Sequence, residues 1–446
     1  MKRLLFCCFF FCSTQLFATH IVGGEIELIR SNFPGATHQL SLNLYFDAIN
    51  GNPQAEDLSV SLSVFRKRDN LFLGSAVLPK VSVNDVQYQN PNCSAVGGLK
   101  TKLMRYSDFV VLDQSTFSDA GGYYIIWERC CRNNIISNIL RPEGAAMTFY
   151  LEFASLQKNN LNFVNSSPVY EPLNADYLCL NQLFKLSLAG KDAENDELVY
   201  TLQTPLNGYA TSAVPNPVLA TGSSNYPTVN FVPGISVLNM IPGTQPLSIN
   251  KKTGEISVIP DRVGLFVFSI LVEEFRNGER IGLQRRDFQL KVVDCILNKK
   301  PQILAKEDGK QLFITKDKLI KINPESNKCV NLLVTDQNIN QEIKWKLLET
   351  SKDSKYLTVS NSTSIIRSSS DTLRSTLCFQ DCIFEDVAKI VQVKILASDN
   401  GCPLPLTDTL VFNVRILPKK IQKPAISIDP LTTQLTVSIK DRKSVV

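Results

Sequence analysis

Apolar and polar positions alternate along most of this chain. Leu40-Ser-Leu-Asn-Leu-Tyr-Phe46 and Leu58-Ser-Val-Ser-Leu-Ser-Val-Phe65 put an apolar side chain at every second position, the period of a strand with one buried face. Phe184-Lys-Leu-Ser-Leu188, Leu247-Ser-Ile249, Phe288-Gln-Leu-Lys-Val-Val293 and Val391-Gln-Val-Lys-Ile-Leu396 repeat the pattern. Turns rich in Gly, Asn, Asp and Pro separate them at short intervals, which predicts an all-β chain of tandem β-sandwich domains. No segment shows a convincing helical period. Ser107 to Thr116 is expected to make a turn or two of helix at most.

Turn-rich, weakly apolar stretches mark the seams. They are Asn165-Ser-Ser-Pro-Val-Tyr-Glu-Pro172, Asn298-Lys-Lys-Pro301 and Pro418-Lys-Lys-Ile-Gln-Lys-Pro424. With a leader at 1–18, they predict sandwich domains over 19–172, 173–298 and 299–418. Residues 419–446 alternate again (Leu435-Thr-Val-Ser-Ile439) and are expected to begin a further module, as in a truncated chain. A length of 446 residues fits about three domains.

The N-terminus changes the compartment. Lys2 and Arg3 precede an apolar run from Leu4 to Cys12, and Ala18 follows as a cleavage position, the layout of a secretory signal. No later apolar stretch reaches the roughly eighteen residues of a membrane span. The expectation is a secreted or surface-exposed protein. A net charge of +5 without a long basic block argues against a nucleic-acid partner. The twelve cysteines lose Cys7, Cys8 and Cys12 with the leader. The remaining Cys93, Cys130, Cys131, Cys179, Cys295, Cys329, Cys378, Cys382 and Cys402 are disulfide candidates in an oxidising compartment. Their odd number leaves at least one unpaired.

Ile21-Val22-Gly23-Gly24 matches the mature start of trypsin-like proteases, but cleavage after Ala18 leaves Ile21 an internal residue. His20 and His38 are the only histidines, and no GDSGG or GxSxG turn exists to supply a nucleophile. Glu274, Arg276, Arg286, Asp287, Trp127 and Glu128 invite a glycosidase reading. Their alternation with Phe275 and Phe288 favours ion pairs and turn clamps instead. No catalytic residue and no enzymatic activity are expected.

Asp192, Glu194 and Asp196 alternate on a loop, and clustered oxygen ligands of this kind suit Ca²⁺, which takes about six to eight. The competing reading is a solvated turn whose Asp and Asn side chains bond their own backbone. Cys179 precedes the first strand of the second domain and Cys295 follows its last. Domain ends often lie close, so these two are expected to meet. The competing pairing joins Cys179 to Cys93, Cys130 or Cys131.

The stretch from Asp192-Ala-Glu-Asn-Asp-Glu-Leu-Val-Tyr200 through Leu247-Ser-Ile-Asn-Lys-Lys-Thr-Gly-Glu-Ile256 to Pro260-Asp-Arg-Val-Gly264 resembles cadherin-like and immunoglobulin-like sandwiches in order and spacing. Asn195 stands where that pattern usually has Gly. A longer ordered set resembles the N-terminal region of gliding-motility-associated bacterial surface proteins. It comprises Thr19-His-Ile-Val-Gly-Gly-Glu25, Tyr45-Phe-Asp-Ala48, Trp127-Glu-Arg-Cys-Cys-Arg-Asn133, Asn165-Ser-Ser-Pro168, Leu178-Cys-Leu-Asn-Gln182, Glu274-Phe-Arg-Asn-Gly278, Arg286-Asp-Phe-Gln289 and Asp399-Asn-Gly-Cys-Pro403. The resemblance implies an exported string of β-sandwich modules with structural, adhesive or motility-linked roles, meeting surface polymers or other surface proteins. Family members carry a cysteine at the place of Ala48. Its loss implies that one of Cys130 and Cys131 has no partner. The alternative reading is a carbohydrate-binding module, which requires an exposed aromatic platform; Tyr123, Tyr124 and Trp127 form the only dense aromatic cluster.

Overall fold

The computed structural model describes residues 21–88, 98, 100–174, 177–323, 328–348, 357–360, 362–379, 390–402, 404–417, 425–428, 430–432 and 434–438. The leader, His20, Cys93 and Cys382 lie outside these. Strands dominate, and the only helical pieces among the described residues are 3₁₀ turns at Pro53–Ala55 and Pro142–Gly144. The helix expected at Ser107–Thr116 is instead the end of a strand followed by one turn, Phe117 N–H bonding Asp113 C=O at 2.9 Å. Two compact units meet at Ile296/Leu297. The seam expected at Asn165–Pro172 falls inside the first unit.

Seven strands open the first unit: β1 (Ile21–Arg30), β2 (His38–Asp47), β3 (Ser59–Arg66), β4 (Leu71–Asp85), β5 (Thr101–Val110), β6 (Tyr123–Arg129) and β7 (Met147–Phe153). They lie in the order β1-β2-β5-β4-β3-β6-β7, every neighbour antiparallel. The sheet curls until both of its ends reach one later strand, Glu279–Val293. β7 pairs there through Gly282↔Phe153 to Arg285↔Tyr150, and β1 through Gly23↔Phe288 and Gly24↔Asp287. The other edge of Glu279–Val293 is taken by Gly264–Arg276 along its length. Inside the curl sit Ile26, Leu42, Leu62, Met104, Trp127 and Phe149. β6 is buried at all seven positions, which suits its nearly unbroken apolar run, Tyr123 to Trp127.

The hairpin Gly264–Arg276/Glu279–Val293 turns at Asn277-Gly278, both with positive φ (53° and 79°), the geometry that two-residue hairpin loops select. Glu197–Gln203 extends the hairpin. The small sheet Phe184–Ser187, Glu255–Pro260, Gly243–Ile249 completes the module's core with Leu186, Tyr200, Ile256, Val258, Phe268 and Leu290. The second unit is a sandwich of its own. One sheet holds Gln302–Glu307, Cys329–Thr335, Leu373–Phe379 and Leu357–Val359. The other holds Leu319–Ile322, Thr407–Ile416, Val391–Ser398, Glu342–Leu348 and Thr363–Ile365. Trp345 is buried between them. Ala425–Ile428 and Leu435–Ser438 form a separate two-stranded hairpin.

Candidate functional site

The motifs scattered through the first unit converge on the strand Glu279–Val293. Gly23 and Gly24 are glycines because β1 approaches this strand and β2 too closely for a side chain. A Cβ at Gly23 would stand 2.6 Å from the Asp287 carbonyl oxygen, and one at Gly24 would stand 2.4 Å from that of Asn43. Next to them Arg286 donates to Glu25 Oε2 through Nε and Nη2, both at 3.3 Å, and to the Leu188 carbonyl at 3.2 Å. Its guanidinium lies 3.5 Å from the centre of the Tyr170 ring. Arg132, wholly buried, gives Nη1 and Nη2 to the two oxygens of Asp287 at 3.1 and 2.7 Å and a further bond to the Leu206 carbonyl at 3.0 Å. Burial pushes the Asp287 carboxyl up, and Arg132 pulls it back down.

A second knot binds the 164–167 segment to the same module. Asn165 Nδ2 donates to Glu274 Oε1 at 2.5 Å, and its Oδ1 accepts from Arg276 Nη2 at 2.6 Å. Ser166 gives its N–H and its hydroxyl to the two oxygens of Glu194, each at 3.1 Å. Ser166 and Ser167 in turn accept the Arg30 and Leu28 N–H groups of β1.

The acidic trio that comes together is thus not the expected one. Glu194 is committed to Ser166. Asp192, Asp196 and Glu274 each place an oxygen within 4.8 Å of the others. Asp196 gives both oxygens to Arg276, at 2.7 and 2.6 Å. Asp192 Oδ1 accepts the N–H groups of Glu194 and Asp196, closing a turn in which Asn195 takes the left-handed φ of 63° that Gly would otherwise supply. Asp192 Oδ2 is buried without a partner. Glu274 is pushed up to about 8, chiefly by burial and further by Asp192 and Asp196, and its bond with Asp196 favours the protonated form. For Ca²⁺ this leaves Asp192 Oδ2 and one oxygen of Glu274 outside the Asn165 and Arg276 bonds, against about six to eight oxygens needed. As arranged, the residues do not fit Ca²⁺. Arg276 and a proton on Glu274 offset two of the trio's three charges instead.

The other candidates are also spoken for. Glu128 is buried and accepts from the N–H groups of Tyr209, Ala210 and Thr221 and from the Tyr226 hydroxyl, at 2.5 to 3.0 Å. It anchors the long 204–230 segment. Tyr123, Tyr124 and Trp127 are each no more than 1% exposed, so they offer no platform to a sugar. Tyr124 and Trp127 do lie on opposite faces, in separate cores. His38 is buried against Thr37, and burial lowers it to about 4.

Cys179 and Cys295 are joined, Cα to Cα 5.3 Å, beside a short parallel pairing of Leu178–Cys179 with Val292–Val293. Cys329 is joined to Cys378, its partner across neighbouring strands, and Cys402 is also disulfide-bonded. Cys130 and Cys131 bond to each other. That corrects the expectation that one of them stands unpaired. Sequence reasoning had not singled out Glu25, Asn165 or Arg132 as partners. Their only sequence signal is charge or amide inside an otherwise apolar or turn motif.

No protein-family model and no curated protein matches this chain. Among solved structures it is similar to the D00-D0 domain of intimin, at 10% identity and TM-score 0.17 over 53% of this chain and 96% of that one. It is similar to human protocadherin-24 EC1-2 at 13% identity and TM-score 0.19, over 57% of this chain and 99% of that one. Drosophila N-cadherin EC1-4 gives 10% identity and TM-score 0.19, over 90% and 93%.

Proposed function

We propose that the chain is an exported, non-enzymatic protein that works outside the cell as a rigid structural or adhesive array of β-sandwiches. One observation carries the reading. Each charged group that could suggest catalysis (Glu128, Glu274, Arg276, Arg286, Asp287) is consumed in holding strands together, and disulfides staple both units. Side chains tied to one another in this way are committed to the fold rather than turned toward a substrate. Disulfides in both units suit an oxidising compartment. The ordered motifs from Thr19 to Pro403 support a link to gliding or surface attachment. Protease treatment of intact cells tests location. Loss of the protein from unlysed cells is the expected result, and full protection until lysis defeats the proposal. A gliding or attachment defect on deletion tests the finer role.

A further inference from the structure

β4 changes partners along its length. Leu71 to Pro79 pair with β3, while Lys80 to Asp85 pair with β5, the register shifting between Lys80 and Ser82. β5 continues past Tyr106 with β2 alone beside it, Ser107 to Val110 matching Ser41 to His38. The ladder between β4 and β5 therefore stops at Lys80↔Tyr106. Beyond that point neither strand pairs with another strand along this edge among the described residues, although on β5 the Phe109 N–H is taken by Asp108 Oδ1 at 2.7 Å. The parting opens a groove of about 370 Å³. Leu73 to Leu78 and Asp108 to Leu112 form its walls, and core residues Leu28, Leu40, Val64, Phe117 and Ile125 form its floor. On the rim Val77 and Val111 are 61% and 64% exposed, and Phe109 stacks on Phe33 at 4.5 Å.

Sheet edges on solitary proteins are usually blunted by charge, proline or cover. From Leu71 to Leu78 the edge reads LFLGSAVL, with neither charge nor proline, and Asp108 is the one charged residue lining the groove. We propose that this groove takes one extended segment of a partner protein, which adds to the free edge of β4 as a strand. Two observations select the occupant. Unpaired backbone N–H and C=O groups in a row are matched by another extended backbone, which neither a sugar nor a lipid chain supplies. The apolar floor selects large apolar side chains at alternate positions, and the nearly uncharged lining disfavours charged ones there. The inference gives the adhesive reading its class of partner and rests on that reading for its biological use only.

The test uses the purified chain and a labelled, end-capped peptide of alternating Val and Thr with a Lys at each end. Saturable binding is expected, with slowed hydrogen exchange confined to the 71–78 and 107–110 amides. The same peptide N-methylated at alternate amides keeps its side chains but cannot pair, and its binding is expected to vanish. The exposed pair Val77→Lys with Val111→Lys is expected to weaken binding about tenfold or more without lowering the melting temperature. No saturation up to about 1 mM, equal binding of the N-methylated peptide, or protection elsewhere on the molecule overturns the proposal. A dimer at the same concentration that the Lys variant abolishes overturns it too, by making a second copy the occupant. Cell-surface location does not enter, so failure here leaves the proposed function to its own experiment.

Discussion

Arg132 and Asp287 stand 155 residues apart and meet in a two-point ion pair with both side chains buried. One follows β6, and the other lies on the strand that closes the first sheet. Removing Arg132 would leave a carboxylate buried without its cation. Arg132→Ala is expected to cost about 3–5 kcal/mol of stability, read from the denaturant midpoint. Arg132→Met with Asp287→Leu should recover part of this, because an apolar pair owes no desolvation. A single variant as stable as the parent would show that the pair is solvated in solution.

Opening the link from Cys179 to Cys295 frees a loop of 116 residues. Replacing both by Ala should destabilise the first unit by roughly 4–5 kcal/mol in the chain-entropy model. Non-reducing peptide mapping checks the link itself. A peptide joining Cys179 to any cysteine of the 93–131 segment would contradict it.

Chelation should leave the melting curve unchanged, because Arg276 already holds both oxygens of Asp196 and Asn165 holds one of Glu274. A bound ion at a hundredfold excess over its dissociation constant would add about 2.7 kcal/mol. A rise in melting temperature on adding Ca²⁺, lost in Asp192→Asn, would restore the metal reading.

The same trio sets a pH dependence. Glu274 is raised from 4.5 to about 8 by burial and by its acidic neighbours, so between these values the folded state holds a proton that the unfolded state has released. Stability from this group is complete below about pH 4.5 and is lost as pH rises through about 8. Glu27, raised to about 7 by burial and Glu25, acts in the same direction. Glu274→Gln should flatten the fall between about pH 4.5 and 8. His38, lowered from 6.5 to about 4 by burial, acts in the opposite sense, stability falling as pH drops through that interval. A fall between about 4.5 and 8 unchanged in Glu274→Gln would mean that Glu274 is ionised in the fold.

Much of the strand content is legible in the alternation. Leu40 to Phe46 and Leu58 to Phe65 fall on β2 and β3, and Phe288 to Val293 ends the closing strand. Cys179 and Cys295 flank one module, so position offers their pairing, but it also leaves Cys179 within reach of a link to Cys93, Cys130 or Cys131. β4 is harder to read, because its outward Val77, Val81 and Val83 add apolar residues to a face expected to be polar. The acidic loop misleads for a different reason. Spacing shows that Asp192, Glu194 and Asp196 share a turn, but not that Ser166 draws Glu194 away or that Arg276 arrives from a hairpin 80 residues on. Local periodicity carries no information about partners at such separations.

Strand Glu279–Val293 also has a consequence in time. β1 and β7 have no common partner until this strand is made, and the bond from Arg286 back to Glu25 spans 261 residues. Closing a loop of that size precedes any reward from the contacts it brings, and such topologies fold slowly. The first module therefore cannot be completed until residues up to 293 are available to pair. Until then both outer strands of the curled sheet keep an unpaired edge, the state in which β-structure is most open to wrong partners.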